Sequence, residues 1–227
     1  MFEYLKQAFT LFFTGDDYLW STIVTTAQMT TVSTLVSAVI GLPIGIALGK
    51  NSFRGKGVLM RFINTLMGLP PVVAGLVVFL LFCRVGPLGS FHIIYSIKAM
   101  IVAQVLLITP IVIGLSANCA SAKAASFNET CHGLGLSKSK QIILLLIDCR
   151  AQLVSVVLTG FGRAIAEVGA VSIVGGNIQN KTRVMTTAIQ LETGKGNFEF
   201  AVAIGILLLT LSFVVNSLAY SLQEKMK

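Results

Sequence analysis

Charge is scarce in this chain. Of 227 residues only 11% are Asp, Glu, Lys or Arg, while 55% are hydrophobic and the mean hydropathy is +0.85. An ordinary soluble domain has about 25% charged residues, so that class is excluded. Histidine is rarer still. His92 and His132 are the only two, and the topology argued below puts them on opposite sides of a membrane, where they cannot share a metal. The four cysteines, Cys83, Cys119, Cys131 and Cys149, lack paired metal spacing, and Cys131 beside His132 makes no site by itself. Three of the four fall on the side assigned to the cytoplasm, which argues against disulfides. "LGKN" at 48–51 and "GKGNF" at 194–198 lack phosphate-loop spacing and the Ser or Thr after the lysine. The chain is therefore expected to bind no nucleotide. With no His, Cys or carboxylates clustered at one depth, it offers no catalytic constellation and no metal site either.

What is abundant is long apolar sequence. Trp20–Gly49, Val58–Cys83, Ser96–Ala117 and Phe200–Leu222 are each long enough to cross a bilayer, which takes about 20 residues. Ala151–Gly176 is as long but carries Arg163 and Glu167. The expectation is an all-α membrane protein, a bundle of five transmembrane helices forming a single domain, with its core over about residues 20–222. At the N-terminus, "MFEYLKQAFTLFF" lacks a small-residue cleavage site, so no signal peptide is expected. Phe2, Leu5, Phe9, Phe12 and Phe13 recur near helical spacing, which suits a helix lying on the membrane surface rather than a sixth span.

The positive charges orient the bundle. Lys50, Arg54, Lys56, Arg61, Lys123, Lys138, Lys140, Arg150, Lys225 and Lys227 fall on one face; Lys6, Arg84, Lys98, Lys181, Arg183 and Lys195 fall on the other. The positive-inside rule puts the N-terminus outside, the C-terminus inside and residues 119–150 in the cytoplasm. The net charge of +8 is accounted for by topology against anionic membrane lipid rather than by nucleic acid.

Several polar features interrupt the spans. Gly41, Gly45 and Gly49 share one helical face and permit close helix packing. The other half of that span is rich in hydroxyls, from Ser21 to Thr34 with Gln28 and Thr30 among them. Such hydroxyls can bond their own backbone, or Gln28 and Thr30 can line a wet translocation path. Pro70-Pro71 and Pro110 are expected to break the second and third spans. Arg163 and Glu167, four apart, share a helical face and can pair. Either they lock the packing or they form a polar wall of a permeation path.

One segment stands apart from the apolar runs around it. "NETCHGLGLSKSKQII", residues 128–143, carries an acid, a histidine, two lysines and two glycines. It resembles the short helix-loop-helix by which ABC importer permeases contact their ATPase subunits. That motif has Glu-Ala-Ala, a glycine six residues after the Glu, then an apolar position and Leu-Pro. Here Glu129, Gly135, Leu145 and Ile147 occupy the matching positions. Thr130 and Cys131 replace the alanines, and Asp148 replaces the proline. The resemblance implies that Glu129, Gly135, Leu136 and Ser137 make the ATPase contact, with Gly135 allowing a turn between two short helices and Leu136 entering a cleft on the partner.

The resemblance extends over roughly residues 20–222. "GFGRAIAEVGAVSIVGGNI" and "TRVMTTAIQLETGKGNFEFAVAIGILLL" are similar to tungstate importer permeases and, more distantly, to molybdate and sulfate permeases. This implies a type I ABC importer permease in a bacterial or archaeal inner membrane. Its implied partners are a second copy of the chain, two ATP-binding subunits that hold the ATP and Mg, and an extracytoplasmic solute-binding protein. Molybdate, sulfate or a small amino acid remain alternative cargoes. A secondary transporter would show an inverted repeat of broken helices, and none is visible.

Overall fold

A computed structural model describes residues 17–224, with the backbone alone at 125, 126, 129, 130, 132, 219 and 222. The proposed surface helix over residues 1–13 lies outside the described residues. All regular structure among the described residues is helical: α1 (Asp17–Lys50), α2 (Lys56–Met67), α3 (Pro71–Phe82), a 3-10 turn at Gly89–Phe91, α4 (Ile97–Gly133), α5 (Lys138–Asp148), α6 (Arg150–Ile165), α7 (Gly169–Gly175), α8 (Met185–Gly194) and α9 (Phe198–Glu224). Three stretches, Asp17–Lys50, Ile97–Ala124 and Phe198–Leu218, are single helices long and apolar enough to span a membrane. The pairs α2–α3 and α5–α6 reach that length only as broken spans, so three to five crossings are available.

Two expectations about breaks need correction. Pro110 does not end a helix; α4 runs through it for 37 residues. A proline removes one donor and bends the helix, but packing can carry a helix past that point. Pro71 instead sits at the first turn of α3, where a missing N–H costs nothing, and Pro70 caps the helix in an extended conformation. The other correction concerns Ala151–Gly176, which is not one helix. It is α6 and the seven-residue α7, separated by residues 166–168.

The described chain gathers into two compact units. Within the described residues the first comprises 17–33, Pro70–Gln104 and Gly162–Asn216. Its apolar centre is Leu19, Met185, Ala188 and Ile204, all essentially inaccessible. Within it α3 packs on α7 at backbone distance, because Gly75 has no side chain. A Cβ there would lie 2.7 Å from the Cα of Ala170. The second unit comprises Thr34–Leu69, Val105–Phe161 and residues 217–224. Gly41, Gly45 and Gly49 meet Val112, Ser116 and Ala117 of α4 in the same order along both helices, so α1 and α4 run parallel there. A Cβ at Gly41 would stand 2.8 Å from Val112 Cγ1, so the small-residue face is a packing seam.

Candidate functional site

The polar segment forms a helical hairpin in the second unit. Its first arm is the end of the long α4, not a short helix, and its second arm is α5. Gly135 has φ +62, and the N–H of Leu136 donates to the carbonyl of Cys131, 3.2 Å away. A 6→1 bond with a left-handed glycine is the Schellman ending of a helix. Nothing lies within 4 Å of a Cβ at Gly135, so the glycine is required by backbone conformation and not by space. Gln141 Nε2 donates to the carbonyl of Leu136 at 2.7 Å and ties the turn to α5. Ser137 precedes the first residue of α5 in an extended conformation, with no cap bond from its hydroxyl. Leu136 is half-buried, whereas Leu134 is 68% exposed. The apolar residue standing out from the turn is therefore Leu134, which the sequence reading passed over. The side chain of Glu129 lies outside the described atoms.

Below the turn, α5 and α6 meet at a 75° bend. Leu145, Cys149 and Leu153 from the two helices bury against Ile46 and Ala120, and Cys119 packs on the same cluster. One turn further along α4, Lys123 Nζ pairs with Asp148 Oδ2 at 2.9 Å and also donates to the Asp148 carbonyl. Asp148, where the family motif has proline, thus helps close the end of α5.

The first unit holds the other expected residues, and it does not bring them together. Arg163 sits in the last turn of α6 and is exposed; Glu167 lies beyond the helix end and is 5% exposed. No ion pair joins them, because the i,i+4 geometry exists only in a continuous helix. Glu167 instead turns inward. Its Oε1 accepts the N–H of Ala170 at 3.1 Å, and its carbonyl accepts the Thr186 hydroxyl at 2.8 Å. A carboxylate at a helix start is favourably placed against free N–H groups. Gln28 is exposed and Thr30 fully buried, so these two point to different sides of α1. Most hydroxyls of this helix bond back to carbonyls of their own turn, as Thr22, Thr25 and Thr26 do. Thr26 also accepts the backbone N–H of Met185.

A buried link within this unit escaped the sequence reading. Gln104 is fully inaccessible; its Oε1 accepts from Ser33 at 2.5 Å and its Nε2 donates to the Ala164 carbonyl at 2.8 Å. The available signal was one amide inside an otherwise apolar run. Arg183 likewise bonds Asn177 through Nε and Nη2 and lies over the Tyr18 ring, 5.4 Å from its centre. Glu192, buried at the end of α8, accepts from Lys195 at 2.8 Å and from Asn197 at 3.1 Å. The Lys195 bond, helped by Asn197, holds its carboxyl below the ordinary range against the opposing effect of burial.

Several apolar helices of membrane-crossing length, interrupted by a polar helical hairpin, define a multi-pass membrane protein. The family profile of the binding-protein-dependent transport system inner membrane component matches residues 41–227. The chain belongs to this family, the permeases of ABC importers, and its resemblance to them is thereby confirmed. It is a transport subunit; the ATPase activity of such systems lies in a separate subunit. It is 37% identical over 223 residues to a tungstate uptake system permease protein of Peptoclostridium acidaminophilum, covering 98% of both chains. A protein of the same name from Campylobacter jejuni is 36% identical, with 99% of this chain and 94% of that one covered. A sulfate transport system permease of Synechocystis is 28% identical over 93% of this chain and 79% of its own. Among solved structures, a chain of the MetNI methionine ABC transporter shares the fold, with a TM-score of 0.74 at 18% identity, covering 92% of this chain and 96% of that one.

Proposed function

We propose that this chain is the membrane permease of an ATP-driven tungstate importer. The near full-length identity to tungstate uptake permeases from two organisms carries the reading. Sulfate permeases align less well, which supports tungstate over sulfate as the cargo. In this reading two copies of the chain enclose the path, two ATPase subunits sit beneath them, and an external binding protein delivers the anion. Five spans with the N-terminus outside agree with the charge bias, and the Gly135 hairpin then faces the cytoplasm as the ATPase contact. Arg163, exposed at the end of α6, is the side chain best suited to ease a dianion past mid-membrane.

Co-purification with the ATPase and native mass measurement tests the assembly. Two permease chains per two ATPases are expected; one permease per two ATPases contradicts the proposal.

A further inference from the structure

The second unit carries an open, almost wholly apolar groove of about 500 Å³ that the transport reading does not use. Three helices line it: α1 with Ile40, Ile44 and Leu48, α2 with Leu59, Phe62 and Leu66, and the Pro110 stretch of α4. Ile40 to Leu48 alone runs about 12 Å along α1, so the groove is a slot and not a dimple. All three helices belong to candidate membrane spans.

One end of the groove meets a basic loop. Leu48 lies in the last turn of α1 and Leu59 in the first turn of α2, and residues 51–55 connect those turns. Lys50, Arg54, Lys56 and Arg61 fall in or beside that connection. No Asp or Glu occurs in the sequence between Asp17 and Glu129, and among the described residues none of these four cations forms an ion pair. Lys56 Nζ is held on the carbonyls of Gly49 and Asn51, which fixes one cation at the mouth of the slot. Arg54 and Arg61 are exposed. Along α2, Leu59, Phe62, Ile63 and Leu66 line the groove, while Arg61 and Thr65 are exposed on the other side. A basic, amphipathic helix beside an apolar slot is suited to lipid with a negative headgroup.

We infer that this groove is a binding site for an anionic phospholipid, with an acyl chain lying between α1, α2 and α4 and the phosphate held by Arg54 and Lys56 at its mouth. An uncharged or zwitterionic lipid would fill the slot equally well but leave the cations unmatched. Each basic side chain close to an anionic headgroup gives about a fivefold preference.

The test needs no substitution at first. The full chain in detergent is offered equimolar phosphatidylglycerol and phosphatidylcholine with identical acyl chains, and the lipids retained are read by native mass spectrometry. At least about fivefold more phosphatidylglycerol is expected. The Arg54→Gln/Lys56→Gln chain should bring the ratio close to one. Ile44→Trp, which fills the slot, should lower retention of both lipids while the melting temperature stays unchanged. Equal retention of the two lipids by the unmodified chain overturns the inference, as does an unchanged ratio in the double variant. Efficient cross-linking of two Ile44→Cys chains by a short bis-maleimide would show the groove covered by a second copy, and would overturn it too.

Discussion

Lys123 Nζ lies 2.9 Å from Asp148 Oδ2, joining the long helix α4 to the end of α5. Lys123 also donates to the Asp148 carbonyl, so one lysine holds both the side chain and the backbone at the end of α5. Both side chains are partly exposed, at 35% and 52%, and an exposed pair contributes at most about 1 kcal/mol. Asp148→Ala should therefore lower the melting temperature only slightly. A double-mutant cycle with Lys123→Ala should return a coupling within that limit, and a larger value would mean the pair is screened from water.

Gly135→Val should have a different character. Valine in the left-handed region costs about 1–2 kcal/mol, and relief would come by opening the turn. With nothing packed against that position, expression and dimer formation should be largely retained while stimulation of ATP hydrolysis by loaded binding protein is lost. Gly135→Asn, which tolerates the same conformation, should keep most of it. Hydrolysis by the reconstituted complex reads both outcomes.

Separating Arg163 from Glu167 yields a third prediction. Glu167→Ala removes a charged acceptor from a buried N–H and should destabilise the chain by about 1.5–3 kcal/mol. Glu167→Gln keeps an acceptor and should be milder. Arg163→Ala should leave the melting temperature unchanged yet slow transport. A large stability loss in Arg163→Ala would show that the arginine is structural.

The broken geometry behind this result marks how far the sequence could be read. Long apolar runs announce membrane spans because the cost of unsatisfied backbone in lipid leaves helices as the solution. Gly135 was legible because a fixed offset from Glu129 coincides with a conformational need. The gap at 166–168 was not legible, since Ala166, Glu167 and Val168 fit a continuous helix as well as a broken one. Pro110 was misread for the opposite reason. A proline signals a lost donor, but whether the helix ends there depends on packing that no local pattern encodes. Gln104 and Leu134 depend on the same kind of tertiary placement.

Acid should reveal the Glu192 strut. Its folded carboxyl titrates below the ordinary 4.5, so its contribution to stability is complete above that value and is lost as pH falls through the folded one. Glu192→Gln should melt lower than the unmodified chain at neutral pH, and the difference should shrink below the ordinary carboxylate range. A gap that is constant from pH 7 to pH 3 would show that the carboxylate charge is not involved.

The most direct test of the account is ATP hydrolysis by the complex of this permease, its ATPase and its binding protein in liposomes, with tungstate, molybdate or sulfate supplied in turn. Stimulation should be strongest with tungstate, accompanied by tungstate accumulation on the ATPase-distal side's opposite compartment, and it should vanish in Gly135→Val. Hydrolysis that responds to none of the three anions, or that persists unchanged in Gly135→Val, would contradict it.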